Sequence, residues 1–340
     1  MMSPHRRIPL DARSEWDHAL EGVPHGFAHT WEHCHAIHLT TGLPTYLYCF
    51  ERDGARVVCP LSERRYRGQA DIVTPYGFNG FTGTGSCHRF TEDWAEFVTG
   101  EGYVCGYIGL NPTLDRSTYY ASETARTHNS VFVVDLRAPM EELLEAVQPR
   151  RRTQLRAPLP PSTRLVWDRA RLADFFTTTY PDFMRRVGAA PVYGFNAATL
   201  SFLCSQDSLF LVGAEVEGSL EAVVVFGYTP WVADYLFGVA LPHGRHHSVR
   251  LLWSGIERLH GLGVPLLNLG GGARPNDGIA EFKRRFGARE LPLMSLRQVY
   301  RPEAFQALCH AAGVDPGAEG YFPPYHAPVR ATACPGGEIA

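Results

Sequence analysis

The chain has 340 residues and a formal net charge of -3, with hydrophobic residues at 45% and charged residues at 20%. These values are ordinary for a folded globular protein. They exclude a collagen, a coiled coil, a mostly disordered chain and a protein that binds nucleic acid through bulk positive charge. The length predicts about two domains. The composition has one imbalance, because lysine occurs once, at Lys283, and arginine supplies every other basic side chain.

Targeting and metal-binding signals are weak. The N-terminus has two arginines but no apolar run behind them, and no stretch approaches the roughly 18 apolar residues of a membrane span. We therefore expect a cytoplasmic protein with no integral membrane segment. The eight cysteines form no C-x-x-C pair, and the adjacent His246 and His247 have no further ligand at metal spacing. We expect no metal.

The first half of the chain predicts a hairpin followed by a strand, a helix and another strand. Asp53-Gly54 separates two strand-like runs, and this dipeptide is a strong hairpin signal. The predicted elements are a hairpin over 46–61, a strand over 70–77, a helix over 92–98 and a strand over 103–110.

The second half repeats this order. Glu217-Gly218 separates two strand-like runs, and the predicted elements are a hairpin over 209–227, a strand over 233–238, a helix over 249–260 and a strand over 266–269. Asp71 to Tyr103 and Asp234 to Leu266 span the same number of positions. The alternative is chance, because two unrelated mixed α/β domains with strands and helices of ordinary length have similar spacings. Agreement at several landmarks favours a duplication, with a cleft where the two copies meet.

The boundary between the halves falls near a basic run. A helix begins at Met140, the run 148–156 carries four arginines, and prolines at 158, 160 and 161 stop any helix. We predict an N-terminal domain over 1–148 and a C-terminal domain over 149–327. The tail 328–340 is rich in proline, glycine and alanine, and we expect it to be disordered.

The most informative stretch follows the last predicted strand. That strand ends in Gly270-Gly271-Gly272, and after a polar loop a short helix carries Phe282 and Lys283. Three glycines let the backbone approach a ligand closely and leave amides free to donate. The P-loop and dinucleotide fingerprints G-x-x-x-x-G-K-[ST] and G-x-G-x-x-G are both absent.

The pattern L-G-G-G…D-G-I-x-x-F-K-R-x-F-G resembles the C-terminal signature of the Fem-type aminoacyltransferases. Weaker similarities to the family occur at 74–80, 110–114, 149–157 and 233–238, so the resemblance covers roughly residues 15 to 300. It implies an α/β fold of mixed sheets in tandem duplicated GNAT-like domains. It also implies transfer of an aminoacyl group from a charged tRNA to an amine, forming an amide bond. We find no heptad stretch, so we expect no coiled-coil arm and only a local tRNA contact.

The resemblance also implies catalytic roles. In the family the lysine of the F-K pair is thought to stabilise the oxyanion formed when the amine attacks the ester, which maps onto Lys283 with Phe282 beside it. The alternative for Lys283 is a solvated helix charge. The attacking amine needs a base, and Asp234, Asp71, Asp277, a histidine or a backbone carbonyl are all open. We name Asp234 as the catalytic carboxylate.

Further residues are predicted to bind substrates. Those expected to bind the acceptor or donor group are Tyr76, Asn79, Arg150, Tyr193, Tyr235, Gly270, Gly271 and Gly272. Those expected to meet tRNA phosphates are Arg151, Arg152, Arg284 and Arg285, for which a solvated interdomain face is the alternative. The acceptor is either a cell-wall precursor peptide or a small amine of secondary metabolism. Aminoacyl-tRNA is the co-substrate, no other cofactor is expected, and we expect a monomer.

Two other functions fit the sequence. The first is an acyl-CoA-dependent N-acyltransferase of the GNAT superfamily, which cradles pyrophosphate with [QR]-x-x-G-x-[GA] at a helix N-terminus. After Arg245, Ser248 and Arg250 replace both motif glycines, which disfavours a standard CoA cradle. The second is a non-catalytic GNAT-like scaffold that binds a peptide or a nucleotide-linked ligand. The intact F-K pair and glycine loop argue against it.

Overall fold

The computed structural model describes residues 3–114, 117–121, 124–272 and 277–327, so the predicted tail 328–340 lies outside the described residues. Over these residues the chain forms one mixed sheet of thirteen strands, against which helices pack. The strands are β1 His5–Pro9, β2 Thr45–Arg52, β3 Ala55–Tyr66, β4 Gln69–Val73, β5 Thr82–Thr84, β6 Cys105–Gly109, β7 Ala125–Asp135, β8 Thr163–Val166, β9 Leu209–Val216, β10 Ser219–Tyr228, β11 Ala233–Ala240, β12 Leu266–Asn268 and β13 Arg289–Val299. The α-helices are α1 Arg13–Leu20, α2 Trp31–Thr41, α3 Phe90–Gly100, α4 Met140–Ala146, α5 Pro149–Arg156, α6 Arg169–Arg186, α7 Ala197–Cys204, α8 Ser248–Gly261, α9 Gly278–Arg284 and α10 Pro302–Ala312.

Both predicted hairpins are present, and their turns share one backbone conformation. Asp53 and Gly54 have φ of 51° and 77°, and Glu217 and Gly218 have φ of 50° and 88°. Two central residues with positive φ make the hairpin turn whose twist matches that of the flanking strands. The hairpins pair β2 with β3 and β9 with β10 in antiparallel register.

The sheet of the second half is covered on both faces. Val224 and Phe226 of β10 belong to the core that contains α8, and the alternating Val223 and Val225 belong to the core that contains α6. Successive side chains of a strand point to opposite faces, so the two helices lie on opposite sides of β10. The unbroken apolar sequence of β10 follows from this burial on both faces.

The two halves exchange their last strands. In each half one strand pairs in parallel with the strand after the helix, β4 with β6 and β11 with β12. The following strand crosses over, because β7 pairs with β12 while β13 pairs with β6. β7 and β13 also pair with each other over most of their length. The predicted division at residue 149 therefore separates segments of the chain, while one sheet runs across both.

The basic run between the halves is itself helical. α5 begins at Pro149, where a proline in the first turn costs no hydrogen bond, and ends at Arg156, two residues before Pro158. It packs against α4 and α8. Among all the helices of the described ranges, none combines the length and the apolar character needed to cross a bilayer.

Candidate functional site

A cavity of about 570 Å³ lies between the two halves. The loop after β4, the segment before α7, β11 and the glycine loop after β12 all contribute to its wall. Side chains and backbone of this wall include His33, Thr74, Tyr76, Phe78, Tyr107, Asn129, Tyr193, Phe195, Asp234, Tyr235, Gly271, Gly272 and Met294. The cleft predicted from the duplication is therefore present where the halves meet.

Asp234 is the buried acid of this cavity. It is 2% exposed, and its Oδ1 accepts a hydrogen bond from Asn268 Nδ2 at 3.0 Å. Asn268 is held in turn, because its Oδ1 accepts from the backbone amide of Gly270 at 2.8 Å. Burial raises the pKa of Asp234 from 3.8 to about 7, against a smaller lowering by Asn268. A carboxyl with this pKa can take up and release a proton near neutral pH.

Lys283 lies behind the glycine loop and is 8% exposed. Its ammonium Nζ donates to the carbonyl oxygen of Gly271 at 2.7 Å and lies 5.9 Å from the centre of the Tyr235 ring. Burial lowers the pKa of Lys283 from 10.5 to about 8, and the charge of Asp277 opposes this shift. The single lysine of the chain is thus a largely dehydrated ammonium bonded to Gly271, which lines the cavity, and not a solvated helix charge.

The glycine loop fits tightly against β7. A side chain at Gly271 would place its Cβ 2.5 Å from the carbonyl oxygen of Ser130, so this position requires glycine. Beside it, Asn129 Nδ2 donates to the carbonyl oxygen of Gly272 at 3.0 Å. Because β7 belongs to the first half of the chain, the exchanged strand fixes the loop that Lys283 touches.

Tyr76 and Tyr193 contact each other edge to face in the cavity wall. Their ring centres are 5.7 Å apart, and Phe195 lies 5.2 Å from Tyr76. The carbonyl oxygen of Tyr76 is 2.5 Å from Nε2 of the buried His33. Burial raises the pKa of the Tyr76 hydroxyl, so this group is neutral at physiological pH. These aromatic rings come from both halves and pack together as one apolar part of the cavity wall.

Three predicted substrate residues do not line the cavity, namely Gly270, Asn79 and Arg150. Asn79 is fully buried inside its own loop, where its Nδ2 donates to the carbonyl oxygen of Pro75 at 2.9 Å. Arg150 is exposed on α5 and is not part of the wall. Asn79 shapes the loop that carries Tyr76, and Arg150 belongs to the basic helix described next.

The predicted tRNA-binding arginines fall into two groups. Arg284 and Arg285 pair with Glu281, each at 2.9 Å. Arg151 lies over the ring of Phe282 at 5.7 Å, so Phe282 faces α5 and not the cavity. Within the described part of the chain, the three consecutive arginines of α5 (150–152) make no ion pair. The pKa of Arg151 is lowered by burial and by the neighbouring cations.

A second cavity of about 300 Å³ opens beside the N-terminal end of α8. Its wall combines residues of β10 and β11 with Arg245, Ser248 and Leu251. Tyr235 lines both cavities, so this residue lies next to each of them. The second cavity can accept an elongated group whose reactive end reaches Tyr235.

Sequence reasoning did not identify three residues that build the site. Asn268 holds Asp234, His33 supports the loop of Tyr76, and Asn129 holds the glycine loop. Asn268 is the only one with a local signal, since it is a polar residue inside the apolar run Leu266–Leu269. The other two reach the site through contacts distant in sequence.

No protein-family model and no curated protein matches this sequence. The structure is similar to the crystal structure of FemX, with a TM-score of 0.67 and 12% identity over 89% of this chain and 99% of FemX. It is also similar to a conserved protein of unknown function from Bacteroides thetaiotaomicron, with a TM-score of 0.57 and 10% identity over 88% of this chain and 100% of that one. L-PGS from Bacillus licheniformis gives a TM-score of 0.52 and 11% identity over 84% of this chain and 91% of that one. The fold is thus the Fem-like double GNAT fold that the resemblance implies.

Proposed function

We propose that this protein is an acyltransferase that moves an aminoacyl group from aminoacyl-tRNA to an amine acceptor. The observation that carries the proposal is the buried ammonium of Lys283, which donates to the carbonyl oxygen of Gly271. Gly271 lines the cavity that also contains Asp234. The structural likeness to FemX supports a transferase of this general kind. Ester aminolysis requires an oxyanion donor and a proton acceptor, and the cavity supplies one of each.

In the proposed reaction, the acceptor amine attacks the carbonyl carbon of the aminoacyl ester. A carbon–nitrogen bond forms, and the carbonyl oxygen becomes an oxyanion that Lys283 stabilises through an N–H not used by Gly271. Asp234 accepts the proton that the amine loses. When the ester carbon–oxygen bond breaks, that proton passes to the departing ribose oxygen of tRNA. Amide and free tRNA result, with no net change in either side chain.

Asp234 is the best placed of the bases that the sequence left open. Asp71 is ion-paired with Arg64 at 2.7 Å and hydrogen-bonded to His326 at 2.8 Å, so its charge is already neutralised. Asp277 caps α9 by accepting from the backbone amides of that helix. Burial lowers the pKa of the cavity histidine His33 to about 4, which makes it a weak base.

The two cavities suggest separate paths for the two substrates. The acceptor would occupy the larger cavity beside Tyr76 and Tyr193, whose aromatic rings would bury apolar parts of a peptide or small amine. The aminoacyl end of the donor would enter through the second cavity and meet the acceptor at Tyr235. The unpaired arginines of α5 would meet phosphates of the tRNA acceptor stem.

Acyl-CoA is the second candidate donor, because the second cavity lies where β11 and the start of α8 would hold a thioester donor. The side chains of His246 and His247 occupy the turn before α8, and Ser248 and Arg250 stand where the CoA cradle needs glycines. Side chains at these two positions would hinder the close approach of a pyrophosphate to the backbone amides. This arrangement ranks aminoacyl-tRNA first.

The test compares both donors in one assay. Purified protein is incubated with radiolabelled aminoacyl-tRNAs or with acetyl-CoA, and with UDP-N-acetylmuramoyl-pentapeptide or a set of small amines as acceptors. We expect labelled amide that disappears when RNase is added first. RNase-insensitive transfer from acetyl-CoA would reverse the choice of donor. No transfer from either donor, with a melting temperature raised by an acceptor, would favour the binding scaffold.

The role of Lys283 is tested in the same assay. Lys283→Ala should lower turnover by about 100-fold or more, and Lys283→Arg by at least about tenfold, because the planar guanidinium cannot replace a compact ammonium. Arg185→Lys, on the exposed end of α6, is the matched control and should keep full activity. Near-wild-type turnover in a folded Lys283→Ala protein would remove the lysine from the mechanism.

A further inference from the structure

Histidine and carboxylate side chains converge at the turn before α8. Nε2 of His247 lies 3.1 Å from Oε2 of Glu221, and Nε2 of His243 lies 3.4 Å from Oε1 of the same carboxylate. Glu221, His246 and His247 each place a ligating atom within 4.8 Å of the other two. We infer that these residues bind one divalent transition-metal ion, with Zn²⁺ as the best match. The inference does not depend on aminoacyl transfer.

The backbone holds Glu221 against this turn. The pairing of β10 with β9 shifts register between Leu220 and Ala222, so Glu221 lies at a β-bulge, which redirects a side chain out of the regular alternation. Its carbonyl oxygen accepts a hydrogen bond from the amide of Leu241 at 2.8 Å. A Cβ at Gly244 would lie 2.4 Å from that same oxygen, so the turn can pack this closely only with glycine. The ligands are therefore brought together before any ion binds.

The hydrogen bond of His246 fixes a tautomer suited to a metal ligand. Its Nδ1 lies 2.8 Å from the carbonyl oxygen of His243. A carbonyl can only accept, so Nδ1 carries the proton and Nε2 keeps its lone pair. Metal-binding histidines commonly donate their second ring nitrogen to a carbonyl or carboxylate in this way.

The ligand set selects the class of ion. Zinc binds histidine nitrogen at about 2.0 Å in tetrahedral geometry, which puts neighbouring ligand atoms about 3.3 Å apart. His247 Nε2 donates a hydrogen bond to Glu221 Oε2 at 3.1 Å, a separation close to this spacing, and the ion would take the place of the proton between the two atoms. Imidazole nitrogens suit zinc, nickel, cobalt and copper, whereas calcium and magnesium prefer shells of oxygen. With three side chains as ligands, His243 or water would complete the shell.

An ion at this position would fasten β10 to the start of α8. Arg245 lies in the same turn, and both Arg245 and Ser248 line the second cavity. Bound metal would therefore stiffen the mouth of that cavity without entering it. The sequence alone does not indicate this site, because the whole of β11 lies between Glu221 and the histidines.

The test measures metal binding directly. Untagged protein is stripped with EDTA, dialysed and titrated with Zn²⁺ against a chromogenic chelator, and bound metal is counted by mass spectrometry. We expect one ion per chain with a dissociation constant below about 1 µM, and a rise in melting temperature on loading. Co²⁺ should give the intense visible absorption of four-coordinate cobalt. Sub-stoichiometric zinc at micromolar concentration would overturn the inference.

Variants assign the ligands. Glu221→Gln and His246→Ala should each weaken Zn²⁺ binding at least about tenfold. Since His246 is exposed, its removal leaves the core intact even if His247→Ala does not fold. His310→Ala, at the exposed end of α10, is the matched control and should bind zinc like the wild type. Equal affinity in Glu221→Gln, His246→Ala and the wild type would also reject the site.

Discussion

Asp71 and Asp234 lie on corresponding strands of the two halves, and only Asp71 faces a cation. The register partner of Asp71 on β3 is Arg64, which forms an ion pair with it at 2.7 Å. The register partner of Asp234 on β10 is Gly227. The Phe27 ring packs on Gly227 so closely that a Cβ there would lie 2.5 Å from it. Asp71 therefore has a cation as its cross-strand partner, which neutralises its charge. Asp234 has a glycine in the same place, and burial raises its pKa.

The first prediction concerns the stability of Asp234→Asn. Because the folded protein raises the pKa of Asp234 from 3.8 to about 7, folding favours the protonated form. Wild-type stability therefore falls as pH rises from about 4 to about 7, and the neutral amide escapes this loss. Thermal unfolding should show Asp234→Asn melting about 2 °C or more above wild type at pH 8. The two proteins should converge near pH 4.

Asp71→Asn is the matched comparison and should behave in the opposite way. It removes the partner of Arg64, whose side chain is 11% exposed, and leaves a guanidinium charge unpaired. Breaking a buried pair costs about 3 kcal/mol or more, so this variant should be clearly less stable at pH 8. A stabilised Asp71→Asn, or a destabilised Asp234→Asn, would contradict the assignment of the two carboxyls.

The second prediction is a narrow pH optimum for transfer. The proposed base must be ionised and the proposed oxyanion donor protonated, so the rate should fall below about pH 7 and above about pH 8. Measuring kcat from pH 5.5 to 9.5 with saturating substrates checks this. Asp234→Asn should lower the rate and remove the acid limb, whereas Lys283→Arg should remove the alkaline limb. An unchanged acid limb in Asp234→Asn would assign that limb to the acceptor amine.

The third prediction uses the single lysine of the chain. Reductive methylation with carbon-13 formaldehyde labels only Lys283 and the terminal amine. In the folded protein the Lys283 methyl resonance should titrate with a midpoint near pH 8, because burial lowers the pKa of this amine from 10.5. In denaturant the midpoint should return toward 10.5. A native midpoint above 10 would mean that water reaches the ammonium freely.

The fourth prediction concerns the basic helix α5. Arg151→Gln and Arg152→Gln should each weaken tRNA binding and reduce the dependence of log Kd on log salt by about one unit per lost phosphate contact. Filter binding from 50 to 200 mM salt measures both effects. Arg185→Gln removes an arginine already paired with Asp182 and should change neither. If the variant that carries both Arg151→Gln and Arg152→Gln showed an unchanged dependence of log Kd on log salt, α5 would be a solvated surface that does not bind tRNA.

Much of the fold is predictable because its signals are local. Asp53-Gly54 and Glu217-Gly218 each specify a hairpin through the backbone angles of two residues. The sequence signals for the apolar face of α8 and for the strand before Gly270 are equally local. The strand exchange is not, because β7 and β13 could pair within either half and no neighbouring residue decides between the two arrangements.

The candidate site divides in the same way. Lys283 and the glycine loop are contiguous motifs, so their sequence alone marks them. The environment of Asp234 depends on Gly227, Asn268 and Phe27, which are far apart along the chain. Asn79 reads as a loop residue exposed to substrate, yet the tight turn buries its amide in its own backbone. Burial of this kind is set by packing, which a motif does not report.

The crossing of β7 and β13 has a mechanical consequence for catalysis. Eight register pairs join the two strands, from Arg289 opposite Val133 to Leu296 opposite Ala125. Two domains linked only by a loop could close over a ligand by rotating about a hinge. Here the pairing of β7 with β13 joins the two halves where such a hinge would lie. The distance between Tyr76 and Asp234 is therefore set when the chain folds. If the proposed transfer takes place in this cavity, the substrates would displace water as they enter, and turnover would not require the two halves to open.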